Sequence, residues 1–140
     1  MASFVKYQCF VENLAEKVHN LGSDTLKIML SNTAPNVSTH AVRADVTELT
    51  TGGGYTSGGA TVTVTGSSQS GGTYSLTQSA DVVFTATTGF GPFQYAILYN
   101  DTPTSPADPL IGYWDYGSPI TLAAAETFTV DMGATILTIA

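Results

Sequence analysis

The chain has 140 residues and a mass of 14.6 kDa, a one-domain length, and its 43% apolar content supports a core and excludes a disordered segment. Four Lys and Arg stand against eleven Asp and Glu, a net charge of −7, too few cations for the clustered positive surface that nucleic-acid binding requires. No apolar run reaches the ~18 residues that a membrane-spanning helix needs, so neither nucleic acid nor membrane is an expected partner.

A lone cysteine, Cys9, cannot form an intrachain disulfide. The first residues are polar and mixed, without a basic stretch leading into an apolar one, so synthesis in the cytoplasm is expected. All four cations, Lys6, Lys17, Lys27 and Arg43, lie within the first 43 residues, and the eight acids from Asp45 to Asp131 have no Lys or Arg among them. The widely spaced acids suit an acidic, solvated surface, and the sharper reading is a dipolar chain whose N-terminal region meets an acidic partner.

In chain order, Phe4, Tyr7, Val11, Leu14, Val18 and Leu21 recur at spacings of three and four, which predicts one helix over about 3–21. Ser3 is placed to cap its start and Gly22 to end it. Beyond Gly22 the period becomes two. Alternation predicts strands at Leu26–Leu30, Val42–Val46, Thr61–Thr65, Thr73–Thr77 and Thr127–Asp131, each with one face in the core and one in water, the outward positions often being Thr. Val82–Phe84, Tyr95–Tyr99 and Leu110–Tyr116 are apolar on both faces, so they belong at the centre of a sheet or beneath the helix or a partner chain.

Between the strands, Thr51–Gly59, Gly66–Gly72 and the proline-rich Thr102–Pro109 read as turns and loops, and Met132-Gly133 as the turn of a final hairpin. About eight to ten strands with one helix over a single domain, residues 1–140, make an all-β antiparallel β-sandwich. A jelly roll of about eight strands is the leading topology and an immunoglobulin-like sandwich the second.

The chain carries little that points to reaction chemistry. His19, His40 and Cys9 are not spaced as zinc ligands. No Gly-x-Ser-x-Gly elbow marks a nucleophile, and Asp101, Asp108 and Asp115 are not singled out as a glycosidase pair. The loop Gly52–Gly59 lacks the Gly-Lys-Ser/Thr ending of a phosphate cradle. No catalytic residue, metal or cofactor is therefore expected. The aromatic run Phe90, Phe93, Tyr95, Tyr99, Tyr113, Trp114 and Tyr116 suits a β core or a contact surface. A carbohydrate-binding β-sandwich module of a fibre or adhesin, with Tyr113, Trp114 and Tyr116 as its sugar platform, is the alternative it suggests.

Several blocks also resemble a known family. Phe10-Val11-Glu12-Asn13-Leu14-Ala15-Glu16-Lys17-Val18-His19-Asn20-Leu21-Gly22 runs into Thr25-Leu26-Lys27-Ile28-Met29-Leu30-Ser31-Asn32-Thr33-Ala34-Pro35. Gly53-Gly54-Tyr55-Thr56-Ser57-Gly58-Gly59, Gly91-Pro92-Phe93-Gln94-Tyr95-Ala96-Ile97-Leu98-Tyr99-Asn100-Asp101 and Leu110-Ile111-Gly112-Tyr113-Trp114-Asp115-Tyr116-Gly117 follow, and Thr121–Asp131 closes the series. Over almost the whole chain this resembles the capsid cement (decoration) proteins of tailed bacteriophages, which have a jelly-roll fold. The resemblance implies a structural virion protein on the outer surface of the capsid, bound to the major capsid protein and bridging neighbouring capsomers of the DNA-filled head. A homodimer is expected first and a trimer next. Lys6, Lys17, Lys27 and Arg43 are the expected contacts to an acidic shell, and Trp114 and Tyr116 the expected apolar area between subunits.

Overall fold

The computed structural model describes residues 2–140. Ten strands and one short helix follow one another: β1 (Phe4–Lys6), α1 (Cys9–Ala15), β2 (Leu26–Ser31), β3 (Ala60–Thr61), β4 (Val64–Ser70), β5 (Thr73–Gln78), β6 (Val82–Thr85), β7 (Gly89–Asn100), β8 (Leu110–Ala123), β9 (Thr127–Val130) and β10 (Thr135–Ile139). All strand pairings are antiparallel, in three sheets of order β1-β8-β7-β2-β3, β10-β5-β4 and β6-β9. The fold is mostly β, with one α-helix, as the alternating patterns predict.

The sheets share one core. On the five-stranded sheet Leu26, Ile28, Leu30, Ala96, Leu98 and Trp114 point to a buried cluster. Leu76, Phe84, Phe128 and Ile136 from the two smaller sheets complete it. The intervening residues Met29, Ile97 and Tyr99 turn to the opposite face, where they meet Tyr7, Val46 and Leu110 in a second, smaller cluster. The doubly apolar β7 thus has both faces covered by its own chain, as the unbroken Tyr95–Tyr99 run requires.

The predicted helix over 3–21 is the largest departure. Only Cys9–Ala15 is helical, and Phe4–Lys6 is a strand paired with β8, Phe4 opposite Trp114 and Lys6 opposite Gly112. The apolar spacing was compatible with either state, and tertiary packing decides it. Phe4 lies 5.2 Å from the Trp114 ring, over Gly112, where any Cβ would collide with it. Tyr7, buried on the other face, donates its backbone N–H to Ile111 at 3.0 Å. The helix ends at Ala15, well before Gly22, and Lys17 just beyond it takes the left-handed φ of 68° that often closes helices.

Smaller differences have local causes. The strand predicted over Val42–Val46 is instead a 3₁₀ turn, Arg43–Asp45, because the Asp45 carboxylate accepts the N–H groups of Ala41 and Val42. Val83 is half exposed, so β6 has one apolar face rather than two. The Gly66–Gly72 loop is mostly strand β4, and the turn shrinks to Gly71-Gly72, both at positive φ and closing Ser70 onto Thr73 as a two-residue hairpin. Met132-Gly133 joins no hairpin, because β9 pairs with β6 and β10 with β5. In β7, pairing with β8 shifts register around Pro92, which has no N–H to give the ladder.

Gly59 tests how tightly the long loop before β3 is seated. At φ 76° its missing Cβ would fall 1.8 Å from the Ile28 carbonyl oxygen, whereas nothing lies within 4 Å of the Gly71 position. Gly59→Ala should therefore cost about 3 kcal/mol or more and Gly71→Ala only about 1–2 kcal/mol. Paired urea-unfolding curves measure both.

Candidate functional site

The glycine-rich segment Thr51–Gly59 is an ordered strap, and one carboxylate holds it. Glu48 accepts from Arg43 Nε at 3.1 Å and Nη2 at 2.8 Å through Oε1, and from the Tyr55 hydroxyl at 2.6 Å and the Gly58 N–H through Oε2. The Tyr55 hydroxyl also accepts the Leu30 N–H at 3.0 Å, so the strap is tied to the middle of β2. Tyr99 donates to the Gly58 carbonyl, and the Arg43 guanidinium lies 5.6 Å over the Tyr99 ring. Asp108 completes the ion-pair set, 3.8 Å from Arg43. Glu48 is nearly enclosed, its side chain 10% exposed. Sequence reasoning passed over it, since a lone Glu in a Thr-rich stretch has no distinguishing pattern. The available signal was the neighbouring cluster of glycines, whose backbone donors need an acceptor.

A second polar cluster lies under α1. The buried Asn100 amide donates to His19 Nδ1 at 3.0 Å and to Asp24 at 2.7 Å, while its Oδ1 accepts the Thr102 N–H. His19 is buried against Phe10, and its Nε2 has no partner. Burial pushes the imidazole pKa below its ordinary 6.5, against the opposing pull of Asp24. Among the described residues, no three His, Cys, Asp or Glu side chains come together as a metal site. The Cys9 thiol faces the carbonyls of Ala41, His40 and Leu110, and burial raises its pKa.

An apolar trough lies between β1 with α1 on one side and β10 on the other. One stretch, of about 690 Å³, has Phe4 and Lys6 of β1 and Phe10, Val11 and Leu14 of α1 as one wall, and all of β10 as the other. A second, of about 490 Å³, shares Leu14 and Ile139 with the first and adds Lys17, His19 and Tyr74. Val11 is 54% exposed beside it. No Asp or Glu side chain lines either stretch.

The sequence-predicted contact residues separate into two groups. Lys6 and Lys17 flank the trough and make no ion pair among the described residues. Lys27 is paired with Asp101 at 3.2 Å, and Arg43 is committed to Glu48 and Asp108, so both serve the fold rather than a free cationic surface. Trp114 corrects the expectation of apolar area between subunits: it is 3% exposed and packed under Phe4. Tyr116 is half-buried, its ring 4.9 Å from Phe128. Nor do Tyr113, Trp114 and Tyr116 form one sugar platform, because Tyr113 turns to the opposite face of the sheet from the other two.

Two outcomes follow. Glu48→Gln keeps the shape but removes the charge that Arg43 needs, and should lower unfolding free energy by about 2–3 kcal/mol in urea titrations. His19 gives a pH dependence of stated sign. Unfolded chains take up a proton near pH 6.5 that folded chains resist, so stability declines as pH falls below that value. Thermal midpoints of wild type and His19→Gln between pH 7.5 and 5 should show a shallower decline in the variant. No protein-family model matches this sequence, and no curated protein or solved structure resembling it was found.

Proposed function

We propose that the protein is a structural virion component, a capsid cement (decoration) protein that binds the outside of a tailed-bacteriophage shell, bridges neighbouring major capsid proteins and stabilises the DNA-filled head. The observation that carries this reading is the trough. It is a long apolar surface bordered by two lysines without ion-pair partners on a chain of net charge −7. An apolar groove rimmed by charged side chains has the form of a docking surface, apolar at its centre and polar at its rim. The flanking cations favour an acidic surface opposite.

The block resemblance along the chain supplies the identity of the partner. The jelly-roll assignment belongs to the same proposal. It is supported by the nested pairings β7–β8, β6–β9 and β5–β10, which trace one long antiparallel ribbon folded so that its segments lie in different sheets. Homodimers or trimers would multiply weak contacts over a symmetric shell.

Purified heads with and without the protein decide the matter. Decorated heads should rupture at a higher temperature, and equal rupture temperatures would reject a stabilising role. Lys6→Glu with Lys17→Glu should lower shell occupancy by about tenfold at low salt and by less at high salt, with the fold intact. Lys27→Glu and Arg43→Glu should instead lower the stability of the free protein.

A further inference from the structure

We propose that the trough receives an extended segment of a partner protein as an added strand on β10, and that this segment alternates apolar with acidic residues. In its sheet β10 has β5 as its single neighbour, and in the five-stranded sheet β1 has β8 alone. The trough therefore runs between two unpaired edges. Its β10 wall is built from Thr135 to Ile139 without a gap. Successive strand residues point to opposite faces, so a wall that includes every one of them is the edge of the strand, backbone groups included. No backbone partner other than β5 and the Gln78 bond to Ala134 is found there.

Exposed edges are ordinarily guarded by charge or proline. The sequence Thr135-Ile136-Leu137-Thr138-Ile139 has neither. Its one irregularity is a register shift between Thr135 and Leu137, which leaves Leu137–Ile139 in regular pairing with β5. Such an edge pairs readily with an incoming strand.

Charge selects the occupant. Among the described residues, Lys6 and Lys17 flank the trough without ion partners, and no Asp or Glu side chain lines it. A basic or uncharged segment would leave the charge of these two lysines unmatched. A local acidic segment of another protein meets the two lysines instead. Its alternate apolar side chains fall on the wall of Phe10, Val11 and Leu14. Five or six residues, about 17–20 Å, match the length of β10.

The inference rests on the decoration reading only for the partner's identity, so it is tested without heads. A blocked seven-residue peptide alternating valine with glutamate is titrated into the isotope-labelled full chain, with the valine–lysine peptide as the control. The glutamate peptide should shift the amides of Leu137–Ile139 and of Lys6 and Lys17, and slow β10 amide exchange. It should bind about tenfold tighter than the lysine peptide, a difference of about 1.4 kcal/mol, and more weakly as salt rises.

Lys6→Glu with Lys17→Glu should reverse that preference. Val11→Glu, at an exposed position, should weaken the glutamate peptide while leaving the amide spectrum folded. Absence of β10 shifts at millimolar peptide, or equal binding of both peptides, would overturn the proposal. So would concentration-dependent protection of β10 without peptide, which would give the trough to a second copy. Peptide failure with intact shell occupancy rejects strand addition alone. Peptide binding without shell binding rejects the decoration reading alone.

Discussion

A sheet that is apolar on both faces has to be covered twice, and this chain is organised around meeting that requirement. Along β7 the residues from Tyr95 to Tyr99 alternate between two buried clusters. The first cluster is closed by the two smaller sheets, which are regular β structure. The second is closed by Tyr7 and Val46, in chain that is mostly irregular. Irregular backbone over a core leaves donors and acceptors that ladders would otherwise satisfy, and each one left unpaired is costly. The charged side chains of this region supply the missing partners. Asp45 takes two N–H groups, and Glu48 gathers the strap.

This arrangement explains why so few charges suffice. Of the four cations, two are built into the fold as Lys27–Asp101 and the Arg43 set, and two border the trough. The asymmetry of charge along the sequence thus resolves into two physical roles that have nothing to do with each other. Arg43 orders a covering layer, while Lys6 and Lys17 set the electrostatic character of an open surface. Phe4 joins these parts of the molecule, since it packs on Trp114 in the core and forms part of the trough wall.

What was legible in the sequence depended on whether local chemistry and tertiary packing agreed. Thr73–Thr77 and Thr127–Val130 alternate and are strands with one buried face, as that pattern describes, whereas Leu26–Leu30 is a strand whose second face is also covered, with Met29 buried in the smaller cluster. The 3–21 segment misled because Phe4 and Tyr7 fit a helical stripe and a strand equally well until Gly112 and Trp114 are brought opposite them. Val42–Val46 alternates too, yet Asp45 folds back on the chain before it, an interaction invisible to periodicity. Charge alone named all four cations alike and could not separate Lys6 and Lys17, which border the trough, from Lys27 and Arg43, which are ion-paired. Trp114 was misplaced because a tryptophan reads identically whether it anchors an interface or a core. The trough itself had no sequence signature, since its walls come from opposite ends of the chain.

The β4–β5 hairpin stands apart from all of this. Its residues from Ser67 to Gly72 are largely exposed, and its tip closes with two glycines that have open space where side chains would be. Gly71 and Gly72 themselves belong to neither hydrophobic cluster and do not line the trough, which the hairpin meets at Ser67 and Tyr74. Chain inserted between Gly71 and Gly72 would leave the molecule's buried parts untouched. The hairpin is accordingly a natural place to graft a foreign epitope or a fluorescent tag for display, with the fold below serving as its pedestal.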